Sequence, residues 1–210
     1  MHQYSAAIDA STTRQFLVAA TLAWYRSGVE RFARWVLGYH GCTAEFATDL
    51  ISGARPISEW PHSKNPYDWL GSGIYFWEHG PERAMQWARE RRGDSAAIVG
   101  AIIQLGRCFD LLDVEFTKEL LPAYQSEKER REAAGQPLLV NRGPDDALGG
   151  RYLDCKVINR CLQRFPEFQV VRGAFQEGAP AFPGAKIFRE SHIQIAVRDP
   201  RCILGVFRPT

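Results

Sequence analysis

The chain has 210 residues, which is long enough for one compact domain with a full hydrophobic core. Its composition, 45% hydrophobic and 24% charged, argues against a disordered or membrane-resident protein. Its 26 lysines and arginines exceed its 24 acidic residues by only two, so net charge does not by itself indicate a nucleic-acid-binding protein. Five widely spaced cysteines without a CxxC pair predict reduced thiols and no metal site.

Residues 1–36 are predicted to form a helical segment that packs on the rest of the chain. Apolar residues recur at helical spacing over residues 11–36, with an interruption near Gly28. The apolar run FLVAATLAWY inside this segment is too short to span a bilayer and is not followed by a small-residue cleavage site. We therefore expect a cytoplasmic protein without a membrane partner, and a main domain over residues 37–210.

The first half of that domain begins with a strand, WVLGYHGC, and a helix, TAEFATDLISG. Thr43 suits the helix N-cap and Gly53 suits its end. Residues 54–68, ARPISEWPHSKNPYD, hold three prolines and no periodicity. They predict a long loop, and loops of that length in compact domains often carry function.

The next elements are a strand, GIYFW, and a helix, PERAMQWARERR, with Pro81 in its first turn and Gly93 at its stop. The arginines of this helix form a cationic side that could meet phosphates, although solvated arginines are the usual case on a helix. AAIVGAIIQL is a strand-length β-branched run, SEKERREAAGQP is a helix end and loop, and RYLDCKVINRCLQRF has a helical apolar stripe. QVVRGAF, HIQIAVR and CILGVF are three late strands. Early helices and late strands predict an α+β domain.

Glycines and aromatic residues crowd the segment before the second helix. GSG precedes a strand and lacks a third glycine, which argues against a Rossmann phosphate loop. Strand alternation places Tyr75 and Trp77 on one face and Phe76 on the other, so we expect Phe76 in the core. Trp60 and Trp69 either line a pocket rim or anchor the long loop.

Three motifs in chain order, GYHGC, GSGIYFW and ESHIQIAVRDP, together resemble a known signature. They are similar to the His-Tyr-Glu pattern of the ADP-ribosyltransferases related to poly(ADP-ribose) polymerases and diphtheria toxin. IVGAIIQLGRCFDLLD resembles that family's central strand followed by a glycine turn, and the likeness covers residues 37–207 except for residues 126–150. The resemblance implies a split α+β fold, in which two small mixed or antiparallel sheets with flanking helices enclose a cleft for NAD.

The resemblance also implies a role for each matching residue, with NAD as the consumed substrate and no metal. His40 would bond a ribose hydroxyl, and the backbone of Gly41 would pair with the nicotinamide carboxamide, a close approach that glycine allows. Tyr75, two residues after Gly73, would offer its ring to the nicotinamide. Arg55 is a candidate for the NAD phosphates only because of its position after the first helix.

The acidic residue is left open among three candidates. Cleavage of the nicotinamide–ribose bond passes through an oxocarbenium-like state, which a nearby carboxylate stabilises. Glu190 stands just before HIQIAVR, where the family has its glutamate. Gln194 faces the same way four residues later and would replace the acid if the strand started earlier. Glu177, in the loop before that strand, is the third candidate.

Taken together, the resemblance implies a mono-ADP-ribosyltransferase that moves one ADP-ribose unit from NAD to a protein or nucleic acid. Polymer synthesis is the least favoured activity, because Gln194 in the acid position would not support elongation in this family. A compact chain of this kind is similar to stand-alone bacterial toxins of the family, which would bring an antitoxin partner. The alternatives are a catalytically silent module that binds NAD, ADP-ribose or a partner protein, and an NAD glycohydrolase.

Overall fold

A computed structural model describes residues 34–142 and 149–210, and residues 34–210 form one compact unit. The strands are β1 (Trp35–Thr43), β2 (Ile74–Glu78), β3 (Ala96–Gln104), β4 (Cys108–Asp110), β5 (Val170–Phe175), β6 (His192–Val197) and β7 (Ile203–Phe207). The helices are α1 (Ala44–Ser52), α2 (Pro81–Arg92), α3 (Val114–Thr117), α4 (Leu120–Ala133) and α5 (Tyr152–Arg164). The domain is thus a mixture of helices and strands, as the α+β prediction has it.

The strands of the described residues form one open seven-stranded sheet in the order β4-β5-β6-β2-β1-β3-β7. Neighbouring strands are antiparallel except β4 and β5, which are parallel. The structure therefore differs from the expected pair of small sheets. The two halves, β4-β5-β6-β2 and β1-β3-β7, are continuous because β1 and β2 still share backbone pairs at Gly38 and Tyr39.

The junction between these halves is the narrowest part of the sheet. Nine residue pairs join β1 to β3 and four join β2 to β6, whereas only two join β1 to β2. The last of these two pairs is Tyr39 with Trp77. Beyond it the two central strands have no register with each other, so the sheet has a gap between β1 and β2.

The main core lies on the sheet face that α1 covers. Phe76, Val99 and Ile195 are each 0% exposed there, so the prediction that Phe76 belongs to the core is confirmed. Trp60 is 2% exposed and packs edge-on against Phe76, which means that it anchors the long loop on this face. Helix α2 packs on the opposite face, where the backbone of Gly41 approaches it.

Most predicted elements are present with nearly the predicted bounds. The side chain of Thr43 accepts from Phe46 N at the start of α1, and Gly53 ends the helix with a φ of 80°. Pro81 opens α2, and the strands and helix predicted after residue 95 correspond to β3, α5, β5, β6 and β7. The two flanking signals, an N-cap side chain and a left-handed glycine, explain why these bounds are readable from sequence.

The structure also differs from the predicted elements in the following details. The helix predicted over residues 11–36 lies mostly outside the described residues, but its last residues, Trp35 and Val36, pair with β3 and belong to β1. The three-residue strand β4 was not predicted, because so short a segment has no periodicity of its own. SEKERREAAGQP is the helix end and loop that were predicted, with α4 ending at Ala133, but it is not fully solvated, because Glu127 is buried and bonds Arg130 and Arg131.

Candidate functional site

His40 lies at the point where the pairing of β1 with β2 ends. Its ring nitrogen Nδ1 is 2.8 Å from the backbone oxygen of Tyr75. Because a carbonyl oxygen can only accept, Nδ1 carries the proton and Nε2 is the acceptor of the neutral ring. In a continuing antiparallel ladder, the oxygen of Tyr75 would bond the backbone N–H of Gly41. A hydrogen bond from the His40 side chain thus takes the place of a backbone hydrogen bond between β1 and β2.

The backbone of Gly41 consequently faces the gap. The oxygen of Leu37 accepts from the N–H of His79 at 2.9 Å, so the backbone groups of Leu37 point towards β2. Alternate residues of a strand direct their N–H and C=O to the same side. Gly41 is four residues after Leu37, so its backbone groups also point towards β2. Since the register with β2 stops at Tyr39, one donor and one acceptor of Gly41 point into the gap between the strands.

The His40 imidazole is held neutral by its surroundings. The ring packs edge-on against Trp60, with centroids 5.1 Å apart, and lies 5.8 Å from Phe76 and 6.3 Å from Phe46. Burial is the main cause that lowers the pKa of His40 to about 4; the hydrogen bond to Tyr75 opposes this shift, and the Arg92 guanidinium adds to it. At neutral pH the ring therefore offers Nε2 as an acceptor, which suits a hydroxyl donor.

Gly41 is also required by packing. A Cβ built at this position would lie 2.6 Å from the backbone oxygen of Ala84 and 2.9 Å from the Trp87 ring, both on α2. Any larger residue would push α2 away from β1. One glycine therefore satisfies two demands: it keeps α2 close on one face of β1, and it leaves the strand's edge groups accessible to the gap.

Tyr75 is fixed through its hydroxyl. Its Oη donates to the oxygen of Gly71 at 2.6 Å and accepts from Leu70 N at 2.8 Å, so the loop before β2 is fastened to the β2 side chain. Burial raises the pKa of Tyr75 well above its usual value. Gly73 lies at the start of this region, where it pairs with Ser63 through two backbone hydrogen bonds. The ring is held rigidly, as a wall for a planar ligand requires.

Arg55 is the least engaged of the predicted residues. Its guanidinium lies 5.1 Å from the ring centre of Phe46, the same ring that contacts His40, and 3.7 Å from an oxygen of Asp49. Its Nε is buried without a hydrogen-bond partner among the described residues. Arg55 and His40 thus contact the same aromatic ring, while the role of Arg55 towards phosphates stays a prediction.

Gln194 occupies the strand position that faces the aromatic residues. It pairs with Trp77 across β2 and β6, and it is 8% exposed. Residues paired across an antiparallel ladder share a face, so Gln194 and Trp77 lie on the same side as Tyr75. Glu190 lies outside the strand, in the turn before β6, and its side chain is 29% exposed. The deep position on the strand is therefore an amide and not a carboxylate.

A second group of polar side chains lies beside Gln194. The Nε2 of Gln194 is 3.0 Å from Nε2 of His192, and Nδ1 of His192 lies 2.7 Å from the backbone oxygen of Glu190. The same Nδ1 is 3.3 Å from the carboxylate of Glu177, which also bonds Arg83 at 2.8 Å. Arg83 is 3.5 Å from the Glu190 carboxylate. All three candidates for the acidic residue thus belong to one connected cluster.

The cluster is enclosed by aromatic rings and contains polar atoms without partners. The His192 ring is stacked on Trp69 and lies 6.4 Å from Trp77. The guanidinium of Arg151 covers Trp69 at 4.6 Å. Among the described residues, Oε1 of Glu177 and Nε1 of Trp77 are buried without a hydrogen bond. Buried polar atoms of this kind are normally satisfied by water or by a ligand.

Sequence reasoning missed the parts that Arg83 and His192 take in this cluster. Arg83 lies on a helix whose arginines were expected to be solvated, yet its side chain is 12% exposed. The alternation of β6 places His192 and Gln194 on one face, which was the available signal. No sequence signal brings Glu177 to them, because its contact with α2 joins residues that are 94 positions apart in the chain.

The chain was compared with family models and with curated proteins. No family model matches the chain, and no curated protein matches it at a significant level. Within residues 34–142 and 149–210, no helix is long and apolar enough to cross a membrane. The same residues contain no group of three or more histidine, cysteine, aspartate or glutamate side chains placed to hold a metal ion.

Proposed function

We propose that the chain is an ADP-ribosyltransferase that cleaves NAD and transfers a single ADP-ribose unit to a macromolecular acceptor. One observation carries this proposal: the pairing of β1 with β2 stops at Tyr39, and His40 and the backbone of Gly41 both face the resulting gap. A strand edge with one free donor and one free acceptor is complementary to a carboxamide, which has one of each.

Each residue of the gap has a chemical task in this proposal. The Gly41 backbone binds the nicotinamide carboxamide, and Nε2 of His40 accepts a hydrogen bond from a ribose hydroxyl. Tyr75 provides a fixed ring against which the nicotinamide is held, and stacking of this kind contributes about 1 to 3 kcal/mol per planar base. Together these contacts orient the nicotinamide–ribose bond, which is the entropic part of the catalysis.

The positive charge that develops on the ribose needs a negative or dipolar partner. Gln194 offers only an amide, and the carboxylates nearest to it are those of Glu177 and Glu190. A neutral residue at the strand position supports the transfer of single units over chain elongation. The free Oε1 of Glu177 makes this residue the better placed of the two carboxylates.

The second candidate function is a catalytically silent module that binds NAD, ADP-ribose or a partner protein, and the amide of Gln194 favours it. Gln194→Glu distinguishes the two, with Gln136→Glu on the surface as the matched control. An enzyme limited by charge stabilisation gains activity with a carboxylate at this position, by about tenfold for each 1.4 kcal/mol of stabilisation. A binding module consumes no NAD in any of the three proteins.

The test of transfer is incubation of the purified protein with NAD labelled in its adenine, together with a cell lysate that is then separated into protein and nucleic-acid fractions. His40→Ala is compared with His79→Asn, which changes an exposed histidine whose φ of 51° asparagine also tolerates. Label in one fraction that is lost in His40→Ala supports the proposal and identifies the acceptor class. Labelled ADP-ribose in solution without transfer would indicate an NAD glycohydrolase instead.

We also propose that the protein acts in the cytoplasm as a toxin neutralised by an antitoxin. This rests on the resemblance to stand-alone toxins and on the compact unit over residues 34–210. Expression is expected to arrest bacterial growth, and His40→Ala or Tyr75→Ala is expected to relieve the arrest while His79→Asn is not. Equal arrest by all four proteins would contradict the toxin role.

A further inference from the structure

The cluster beside β6 contains a chain of hydrogen bonds and one ion-pair contact, that of His192 with Glu177, and the chain ends on an amide. It runs from Arg83 through Glu177 and His192 to Gln194, with separations of 2.8 Å, 3.3 Å and 3.0 Å. Its members come from α2, the loop after β5, and β6, so the tertiary fold and not local sequence brings them together. Glu177 is 2% exposed and the His192 side chain is 4% exposed, so water competes little for these bonds.

The direction of the bonds follows from the first ring nitrogen. Nδ1 of His192 faces two acceptors, the backbone oxygen of Glu190 and the carboxylate of Glu177, so it carries a proton. In the neutral ring Nε2 is then an acceptor, and the group that faces it at 3.0 Å is the amide nitrogen of Gln194. The amide oxygen of Gln194 is consequently turned away from the imidazole.

We propose that Glu177 and His192 are positioning residues that hold the Gln194 amide with its oxygen available to substrate on the Trp77 face of the sheet. The inference rests on the proposed function, because the group that this oxygen accepts is a ribose hydroxyl of NAD. A fixed carbonyl dipole in this place takes over the hydroxyl-binding task of the missing carboxylate. Arg83 orients Glu177 in turn.

Protonation of His192 would reverse the orientation of the Gln194 amide. If His192 is protonated, Nε2 becomes a donor, and the amide satisfies it by rotating so that its oxygen faces the ring. The two ends of an amide have nearly the same shape, so this rotation needs no repacking of Trp77 or Trp69. The amide then presents NH₂, which only donates, so the ribose hydroxyl loses the acceptor for its proton. Acidification is therefore expected to switch the site off.

The charged groups that face His192 set the pH of this reversal. Burial lowers the pKa of His192, the backbone oxygen of Glu190 and the carboxylates of Glu177 and Glu190 raise it, and Arg83 lowers it. Arg151 covers the far face of Trp69 and contacts Phe175, and Trp77 adds no charge. Removing the charge of Glu177 should therefore lower the pKa, and removing that of Arg83 should raise it.

The experiment is a ¹⁵N NMR titration of the His192 ring and the Gln194 side-chain amide in the full chain. It compares the wild type with Glu177→Gln, Arg83→Met and the matched control Arg89→Met on the exposed side of α2. We expect both groups to titrate with one midpoint, shifted down by about one pH unit in Glu177→Gln and up by about one unit in Arg83→Met. Arg89→Met should leave the midpoint unchanged.

The rate of NAD consumption against pH is recorded in the same four proteins, and its acidic limb is expected to move with the NMR midpoints. A Gln194 amide that does not respond to His192 titration, or variants that shift the midpoint in the same direction, would overturn the inference. If a variant fails to fold, the wild-type titration alone decides whether the Gln194 amide responds to the titration of His192. Coupled titration without any NAD consumption would leave the positioning intact and refute the proposed function instead.

Discussion

The Nδ1–H of His40 donates to the backbone oxygen of Tyr75 at 2.8 Å, and this bond replaces a backbone rung between the two central strands. A side chain in place of a rung keeps β1 and β2 attached while leaving the Gly41 backbone without its strand partner. Sheets normally expose such groups only at their outer edges. Here the exposed edge lies in the middle of the sheet, which is where a ligand can be enclosed.

Burial of His40 predicts that acid destabilises the fold. The folded-state pKa of about 4 is below the ordinary value of 6.5, so the unfolded chain binds the proton first as the pH falls. The stability that the fold gains from burying a neutral His40 is complete above pH 6.5 and declines as the pH falls to about 4. His40→Asn keeps a donor for Tyr75 but does not titrate. From pH 7 to pH 4, the free energy of unfolding, measured in urea, should fall by up to about 3 kcal/mol more in the wild type than in His40→Asn. Equal losses in both proteins would contradict the burial argument.

Gly41→Ala is expected to lower the free energy of unfolding by about 1 to 3 kcal/mol, because the new methyl group would collide with the backbone oxygen of Ala84. Gly205→Ala, in β7, is the matched control, since a Cβ there has no neighbour within 4 Å. Its effect should stay within about 0.5 kcal/mol. Similar losses in the two variants would mean that α2 does not depend on the glycine.

Tyr75→Phe and Tyr75→Ala separate the hydroxyl from the ring. Loss of the hydroxyl leaves Leu70 N and the oxygen of Gly71 unpaired and should cost about 1 to 3 kcal/mol of stability. The ring remains in Tyr75→Phe, so NAD affinity measured by calorimetry should change little. Tyr75→Ala should weaken NAD binding by at least about fivefold, as expected for a lost stacking contact. An affinity that follows the hydroxyl and not the ring would contradict the stacking role.

Arg172→Met is expected to destabilise the sheet by about 3 to 5 kcal/mol. Arg172 bonds Glu78 at 2.6 Å and Asp110 at 3.1 Å, which ties β5 to β2 and β4, and both carboxylates are buried. Removing the cation leaves the buried Glu78 carboxylate without its partner, whereas Asp110 keeps an ion pair with Arg34 at 3.0 Å.

Lys118→Met provides the control for that variant. Lys118 also lies 2.6 Å from its carboxylate partner, but it is exposed and its loss should cost no more than about 1 kcal/mol. Equal effects on the denaturation midpoint would show that burial does not matter for these pairs.

Local signals account for what the sequence could predict. Thr43, Gly53 and Pro81 mark helix ends by conformations and bonds that involve only nearby residues. Alternation along β2 was enough to assign Phe76 to the core and Tyr75 to the other face. His40 and Gly41 could be selected because they belong to the motif GYHGC. The gap that they face depends on the register of β1 and β2, which the motif does not predict.

Long-range geometry accounts for what could not be predicted. The single continuous sheet depends on two residue pairs between β1 and β2, and no pattern in either strand encodes them. The choice between Glu190 and Gln194 depended on where β6 begins, and strand ends read from sequence shift by one or two residues. Arg83 looked like a surface residue because helical periodicity does not record a loop that folds over the helix.

The most direct test of the central claim is the release of free nicotinamide from NAD by the purified wild type, His40→Ala and His79→Asn under the same conditions. If the gap between β1 and β2 is the catalytic site, the wild type and His79→Asn release nicotinamide at the same rate, and His40→Ala is slower by at least about tenfold. Release that is equal in all three folded proteins would contradict the assignment of this gap, and an absence of release in all three would contradict the proposed enzyme.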